Sequence, residues 1–189
     1  MSDYRHIIPF IKKAEGGLSK DTADSASANP VPDGSGYHTN KGIVWSTWSN
    51  VFGTDADSIK RFYAMSDDDW GLIFKKLYWD MMLGDQIKSQ RISDLLVDWI
   101  WGSGKHYPEA DVQDILIHAF NQHLVEDGNF GAQTIASINS VDEQKLYDDI
   151  VAKRFWFFDQ CVASHPTNER FLQGWRNRLN NLVAFDKVN

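Results

Sequence analysis

Glu15 is the residue of this chain whose surroundings best suit acid chemistry on a glycosidic bond. It follows an apolar stretch that ends at Ala14 and precedes Gly16 and Gly17. Cleavage of such a bond needs a carboxylic acid that keeps its proton near neutral pH, and the carbonyl dipoles of a helix end together with desolvation disfavour the anion. The two glycines let a substrate approach closely. The alternative is an ordinary solvated helix end, which a glutamate before two glycines also fits.

The polar loop after Glu15 supplies candidates for a second group. Residues 18–41 lose the helical pattern and are rich in Asp, Ser, Asn, Pro and Gly, which predicts a long loop. Acid-assisted cleavage also needs a group that positions water or stabilises positive charge at the anomeric carbon. The loop offers four such side chains: Asp21, Asp24, Asp33 and Thr39. The alternative for each aspartate is to satisfy the backbone of a turn.

A further set of candidates lies on an apolar helix predicted over residues 92–101. Asp94, Asp98 and Trp101 are spaced at i, i+4 and i+7, so they share one stripe that can line a cleft. Apolar side chains cover the rest of the circumference, which predicts that the helix is largely buried and that Asp98 meets a partner. The alternative is a buried aspartate that accepts backbone hydrogen bonds.

The sequence does not support metal-dependent or nucleophilic catalysis. His118 and His123 are five residues apart, which turns them to different faces of a helix, and there is no His-Glu-x-x-His motif. There is no Gly-x-Ser-x-Gly motif, and Cys161 lies in an aromatic helix as a core residue does. Residues 127–129 lack the remaining ligands of a calcium loop and indicate a tight turn. We therefore expect neither a metal nor another cofactor.

Composition and charge narrow the class of partner. The formal net charge of −7 and the absence of a basic run argue against a nucleic-acid partner. Aromatic residues make up 13% of the 189 residues, which fits both a core and flat rings that pack on sugar faces. A single cysteine allows no intramolecular disulfide. The N-terminal residues have neither the pattern of a signal peptide nor that of a membrane span, so we expect synthesis in the cytoplasm.

Hydrophobic periodicity predicts helices over most of the chain and thus a mainly α fold. The pair Gly16-Gly17 ends the first helix, and a short β-hairpin is expected near residues 37–43. Further helices are predicted over residues 44–51, 58–63, 67–82, 92–101, 110–123, 142–163 and 168–185. The best candidate boundary is the joint at residues 102–108, which is rich in Gly and Pro and precedes a helical C-terminal part.

Several blocks of sequence together resemble the N-acetylmuramidases of glycoside hydrolase family 108, which have the lysozyme superfamily fold. In order, they correspond to the family's Glu-Gly-Gly, Asp-x-x-Asp and Thr-Asn-x-Gly-Ile motifs, and they are Glu15-Gly16-Gly17, Asp21-Thr22-Ala23-Asp24 and Thr39-Asn40-Lys41-Gly42-Ile43. The likeness continues through residues 78–79, 85–87 and 94–104. It implies that Glu15 is the catalytic acid and that the fold is lysozyme-like, with helices around a cleft.

The C-terminal part resembles the peptidoglycan-binding-type domain that accompanies this family. Residues 126–134 correspond to its Asp-Gly-x-x-Gly-x-x-Thr turn, and residues 171–178 to its Phe-x-x-Gly-Trp-x-x-Arg ending. The resemblance therefore implies a catalytic part over residues 1–105 and a helical wall-binding part over residues 106–189, packed on it or continuous with it.

Two departures from the family pattern concern the expected site. Residues 25–37 form a longer insertion without the paired glycines, which alters the geometry expected for the loop. Gly102 stands where the family usually has Asn, so any substrate contact from that amide is lost.

The resemblance implies hydrolysis of the β-1,4 bond between N-acetylmuramic acid and N-acetylglucosamine. Glu15 would protonate the oxygen leaving on C4 of N-acetylglucosamine, while Thr39 with Asp21 or Asp24 orients water. The residues expected to bind substrate are Tyr37, Asn40, Trp45, Asp94, Asp98 and Trp101.

The expected partner is the glycan strand of peptidoglycan, and the chain is expected to act as a monomer without a membrane span. It would reach the cell wall after release from the cell or by non-standard export. Two alternatives stay open: a lytic transglycosylase that uses the same acid, and a non-catalytic protein that binds the wall or assists secretion.

Overall fold

The structure, a computed structural model, describes residues 1–187, whose regular elements are helices and one short hairpin. By packing, the chain divides into two units. The hairpin unit is Ile7–Leu77, and the bundle unit is Met1–His6 together with Tyr78–Asn189. Among residues 1–187, no helix combines the length and the apolarity that crossing a membrane requires. The mainly α fold predicted from the sequence is confirmed.

The hairpin unit contains short helices and a two-stranded antiparallel sheet. Its elements are α1 (Ile8–Ala14), β1 (Thr39–Asn40), β2 (Ile43–Val44), α2 (Trp45–Phe52), α3 (Ala56–Tyr63) and α4 (Asp67–Phe74). Side chains fix the starts of α3 and α4: Asp55 accepts from the Ser58 N–H at 2.8 Å, and Ser66 with Asp69 forms a reciprocal capping box. Local sequence signals therefore set where these two helices begin.

A two-residue turn closes the hairpin and fixes its register. Lys41 and Gly42 have φ values of 47° and 77°, and Asn40 pairs with Ile43. Positive φ at both central positions is the requirement of the turns that match the twist of an antiparallel pair. The hairpin predicted near residues 37–43 is confirmed.

Large aromatic side chains fill the core of the hairpin unit. Trp48, Phe62 and Trp70 are fully buried, and the Trp70 ring stacks on Phe74 with centroids 5.1 Å apart. The indole N–H of Trp48 donates to the Ser58 hydroxyl at 3.0 Å, so its one polar atom is satisfied inside the core.

The bundle unit is built around α5. Its helices are α5 (Gln90–Ser103), α6 (His106–Phe120), α7 (Ala132–Ile138), α8 (Glu143–Ser164) and α9 (Glu169–Phe185). The α5 helix packs against α6 and α8, and α8 packs against α9. Residues Ile92–Ile100 are buried on every face of α5, as its apolar circumference predicted.

The prediction of one helix over residues 67–82 is wrong. After α4 the chain forms a π turn at Lys75–Trp79 and 3-10 turns at Asp80–Met82 and Gly84–Gln86. The buried Trp79 indole donates to Asp85 at 2.7 Å, and a Cβ on Gly84 would lie 2.6 Å from Cδ2 of the Trp79 ring. This tertiary packing overrides the helical propensity of the segment.

Candidate active site

Glu15 lies where α1 ends. Its backbone is extended, with φ −89° and ψ 138°, and its N–H donates to the Lys12 carbonyl at 3.2 Å. The side chain is half-buried. The helix thus ends at Glu15, and the chain turns away toward Gly16 and Gly17.

The Glu15 carboxyl lies against the hairpin turn at Gly42. A Cβ built on Gly42 would be 2.7 Å from Glu15 Cδ and 3.2 Å from Cγ, distances that real Cβ atoms do not tolerate without a shift. Gly42 therefore satisfies two requirements, a positive φ for the turn and empty space for the carboxyl. The turn is part of the acid's immediate surroundings.

Contacts from α4 hold this turn in place. The indole N–H of Trp70 donates to the Lys41 carbonyl at 2.9 Å, and Lys41 Nζ donates to the Met65 carbonyl at 2.7 Å. Lys12, on α1, pairs with Asp67 at the start of α4, and this contact lowers the pKa of Asp67. The helix that carries Glu15 and the turn beneath it are thus tied to the same helix.

Thr39 belongs to the same hairpin and lies beside the segment that follows Glu15. The Ser19 N–H donates to the Thr39 carbonyl at 2.9 Å in an antiparallel bridge. Thr39 is half-buried, and its hydroxyl lies 2.9 Å from Nδ1 of the buried His38. His38 Nε2 lies 3.1 Å from the backbone carbonyl of Asp21. A buried imidazole therefore links the Asp21 backbone to the Thr39 hydroxyl.

Asp21 and Asp24 are exposed, and each carboxylate caps a turn of its own loop. Asp21 Oδ1 accepts from the Ala23 N–H at 2.9 Å, and Asp24 Oδ1 accepts from the Ala26 N–H at 2.9 Å. Turn capping is the alternative that the sequence allowed for both. Their predicted catalytic roles, like those of Glu15 and Thr39, stay predictions.

The insertion over residues 25–37 is fastened to α3. The Tyr63 hydroxyl donates to Asp33 at 2.6 Å and lies 2.7 Å from the Ser35 hydroxyl. The Tyr63 hydrogen bond lowers the pKa of Asp33, and burial raises the pKa of Tyr63. Tyr37 packs edge-on against Tyr63, with Lys20 Nζ over its other side at 5.2 Å from the ring centroid. The loop thus presents a half-buried aromatic ring and a cation.

Two family models match the chain, one after the other along the sequence. Residues 8–104 match the model of Glycosyl hydrolase 108, which covers just over half of the chain. The chain belongs to the glycosyl hydrolase 108 family. Residues 107–180 match a second model, described as a predicted peptidoglycan domain. The two matches assign the chain to a hydrolase family that acts on peptidoglycan, and the resemblance seen in the sequence is confirmed.

A solved structure gives the same fold. The chain is similar to SagA of Brucella abortus with a TM-score of 0.70 and 19% identity, covering 96% of this chain and 94% of that one. At this identity the likeness concerns the fold. No curated protein gives a match.

Two residues of the hairpin unit predicted to bind glycan in this glycosyl hydrolase 108 chain are buried instead. The amide of Asn40 donates to the Phe62 carbonyl at 2.7 Å, which fixes β1 to the end of α3. Trp45 is 5% exposed and packs edge-on against Phe62 with centroids 5.3 Å apart. Both side chains hold the hairpin in place and do not offer a surface to substrate.

Asp94 also needs correction, because it is fully buried in the bundle unit. Its carboxylate lies 2.6 Å from His6 Nδ1 and accepts from Gln90 Nε2 at 2.8 Å. Burial raises the pKa of Asp94 to about 7. These contacts attach the N-terminal residues to α5 and leave no carboxylate surface for a glycan.

Asp98 is buried as well, and its partners are two arginines. It accepts from Arg154 Nη2 at 2.9 Å and from Arg178 Nη2 at 2.8 Å. The carboxylate thus ties α5 to α8 and α9. Asp98 therefore has the partner that its buried position predicted, and both of its oxygens accept from arginine.

Trp101 and Tyr37 keep partly exposed rings. Trp101 packs against Tyr78 with centroids 4.6 Å apart and belongs to the bundle unit, whereas Tyr37 belongs to the hairpin unit. Their roles in substrate binding stay predictions. Within residues 1–187 no group of three or more His, Cys, Asp or Glu side chains is placed to hold a metal ion.

Sequence reasoning missed His38. Successive residues of a strand point to opposite faces, so no strand pattern predicts a hydrogen bond between the side chains of His38 and Thr39. The residue lies just before β1 begins. Its contact with the Asp21 carbonyl, 17 residues away, has no sequence signal either.

Proposed function

We propose that this chain is an N-acetylmuramidase that hydrolyses the β-1,4 bond between N-acetylmuramic acid and N-acetylglucosamine, with Glu15 as general acid. The observation that carries the proposal is the contact of the Glu15 carboxyl with Gly42, at the turn of the hairpin that bears Thr39. Membership of the glycosyl hydrolase 108 family supports the choice of chemistry.

In the first step Glu15 gives its proton to the bridging oxygen. The bond from C1 of N-acetylmuramic acid to that oxygen breaks, and N-acetylglucosamine leaves with a new hydroxyl on C4. Positive charge then develops at the anomeric carbon and its ring oxygen. The Glu15 side chain is half-buried, so a substrate can still reach the carboxyl group.

In the second step water attacks the anomeric carbon. Thr39, with Asp21 or Asp24, orients this water, and the carboxylate takes its proton. The exposed carboxylates are accessible to solvent, and each uses one oxygen for its turn. Direct attack by water from the opposite face inverts the anomeric centre. Carboxyl groups about 6.5–9.5 Å apart fit this route, whereas about 5 Å fits a retaining one.

Binding of the polymer depends on local contacts, because peptidoglycan is anionic and the chain carries a formal net charge of −7. Near the catalytic residues, we assign the binding of the glycan to Tyr37 and to Lys20 beside it. We assign wall binding to residues 106–189 and catalysis to residues 1–105. Aromatic side chains exposed in the second range are Tyr107, Trp156 and Phe171. In this proposal the monomer acts on the wall after release or non-standard export.

Digestion of purified sacculi tests the proposal. Wild type, Glu15→Gln and Asp57→Asn are compared by turbidity clearing and by release of reducing ends. Asp57 is an exposed carboxylate of the same unit and serves as the control. Glu15→Gln should lower the rate by about a hundredfold or more, because the proton donor is lost, and Asp57→Asn should leave it unchanged.

The products separate the alternatives. Reducing N-acetylmuramic acid that appears first as the α anomer supports the proposed hydrolysis with inversion. First appearance of the β anomer would indicate a retaining mechanism, in which a carboxylate and not water attacks the anomeric carbon first. Ends with 1,6-anhydromuramic acid would identify a lytic transglycosylase. Equal clearing by wild type and Glu15→Gln would remove Glu15 from the mechanism, and sacculus binding without any released sugar would indicate a non-catalytic protein.

A further inference from the structure

His38 is buried next to Thr39, and both of its ring nitrogens have partners. Its exposed fraction is 0%, with Nε2 at 3.1 Å from the Asp21 carbonyl and Nδ1 at 2.9 Å from the Thr39 hydroxyl. The backbone is also held, since the His38 N–H donates to Ser19 and the His38 carbonyl accepts from Trp45 at 2.7 Å. The ring therefore has little freedom to turn.

The partner of Nε2 decides which nitrogen carries the proton. A backbone carbonyl accepts hydrogen bonds and cannot donate, so the contact with Asp21 requires a proton on Nε2. A neutral imidazole carries one N–H, which leaves Nδ1 as an acceptor. It follows that the Thr39 hydroxyl donates to Nδ1.

The direction of that hydrogen bond determines what Thr39 can do. Once its proton points to His38, the Thr39 oxygen has only lone pairs to offer to other groups. It can then accept a hydrogen bond from water, which turns a lone pair of the water outward. A Thr39 hydroxyl with a freely rotating proton would instead donate to water for part of the time and hold it with its lone pair turned away from the sugar.

We propose that His38 is a positioning residue: its neutral ring, protonated on Nε2, fixes the Thr39 hydroxyl as a hydrogen-bond acceptor for the attacking water. The inference rests on the proposed function of Thr39. His38 itself takes no proton from the substrate and contacts it nowhere in this mechanism. His38 acts on the attacking water only through Thr39, so replacing His38 should change kcat more than KM.

Nitrogen-15 NMR of the imidazole in the intact chain tests the tautomer without reference to activity. Under mildly basic conditions the His38 spectrum should show a protonated Nε2 and an unprotonated, hydrogen-bonded Nδ1. In Thr39→Val the Nδ1 shift should move toward that of a nitrogen without a donor, while Nε2 stays unchanged. A proton on Nδ1, or an Nδ1 shift unaffected by Thr39→Val, would overturn the inference even if the chain had no activity.

Kinetics on soluble peptidoglycan fragments test the consequence. His38→Ala should lower kcat by about tenfold, the size of one hydrogen bond, and leave KM within about twofold. His38→Asn offers an acceptor oxygen near the former Nδ1 and should recover most of kcat, whereas His38→Gln reaches toward the Asp21 carbonyl and should not. The exposed His165 provides the control, and His165→Ala should match wild type.

A double mutant separates positioning from a structural role. If His38 acts through Thr39, His38→Ala should cause no further loss in kcat on the background of Thr39→Val. An equal loss on both backgrounds, or recovery by Gln in place of Asn, would assign His38 to the support of the Asp21 loop and refute positioning. If Glu15→Gln clears sacculi as wild type does, the proposed function fails while the NMR result still decides the tautomer.

Discussion

At the residue scale, both the backbone conformation and the space that a side chain would occupy require a glycine at position 42. Its φ of 77° belongs to the left-handed region, and the Glu15 carboxyl occupies the place of a Cβ. The sequence motif around Gly42 suggested family membership but gave no contact with Glu15. That contact joins residues 27 positions apart and depends on where α1 ends.

Gly42→Ala should therefore reduce catalysis by Glu15 more than it reduces the stability of the fold. Strain at positive φ should cost about 1–2 kcal/mol of unfolding free energy, while displacement of Glu15 should lower kcat by about a hundredfold. Gly53→Ala is the matched control, because Gly53 has a φ of 83° but open space around its Cα. Thermal melts and initial rates below both melting temperatures measure the two effects. Similar rates for the two variants would contradict the contact.

At this scale the sequence provides candidate residue types but does not provide their surroundings. The order of motifs indicated Glu15 and Thr39, whereas Asn40 and Trp45, which were expected to bind substrate, are buried. The Asn40 amide satisfies carbonyls at the end of α3, 22 residues away. No local pattern distinguishes an amide that binds backbone from one that binds sugar, because both use the same donor.

At the element scale, periodicity predicted the helices well where one face or the whole circumference is apolar. α5 and α8 lie close to their predicted bounds. The failures lie where tertiary contacts decide: α4 ends at Phe74 because Trp79 packs over Gly84, and α6 starts at His106, with Pro108 tolerated in its first turn. α7 (Ala132–Ile138) is only seven residues long and was not predicted.

The insertion over residues 25–37 is an element whose order should depend on one hydroxyl. Tyr63→Phe keeps the ring beneath Tyr37 but removes the hydrogen bonds to Asp33 and Ser35. We expect a loss of about 1 kcal/mol in loop ordering and a rise in KM of about fivefold, with kcat little changed. Hydrogen exchange of amides 25–37 and steady-state kinetics measure this.

A second variant checks that the change in loop order and KM comes from the hydrogen bond and not from the Tyr63 ring. Asp33→Ala removes the same bond from the other side and should reproduce the effect of Tyr63→Phe. The two changes together should add little, because each already breaks the shared contact. Faster exchange without a change in KM would separate loop order from glycan binding.

At the scale of the whole molecule, family matches and packing divide the chain differently. The two family models meet between residues 104 and 107, whereas packing separates Ile7–Leu77 from the rest. Asp98 belongs to the first family segment but is paired with Arg154 and Arg178 of the second. A chain cut between the two segments would leave this carboxylate buried without its partners, which is strongly destabilising. The division into functional parts at residues 105 and 106 stays a prediction.

Buried acids of the bundle unit should make its stability depend on pH. Burial raises the pKa of Asp94 from its ordinary 3.8 to about 7 and that of Asp186 to about 6. Between about pH 4 and pH 7 the folded chain then holds a proton on Asp94 that the unfolded chain has lost. Proton binding to Asp94 therefore stabilises the folded chain. This stabilisation is complete below about pH 4 and is lost as the pH rises through about 7, and the free energy of unfolding falls by up to about 1.4 kcal/mol per pH unit.

Asp94→Asn isolates this effect, because the amide keeps a similar shape but does not titrate. Denaturant unfolding followed by circular dichroism gives the free energy of unfolding at about pH 5 and at about pH 8. The difference between the two pH values should be smaller for Asp94→Asn than for wild type, by about 1 kcal/mol or more. The variant should be the more stable chain at the higher pH, where wild type buries a carboxylate. Asp148→Asn, an exposed change on α8, should retain the full wild-type difference. If Asp94→Asn also retained the full pH dependence, Asp186 would have to carry the titrating proton, since it interacts electrostatically with Asp94.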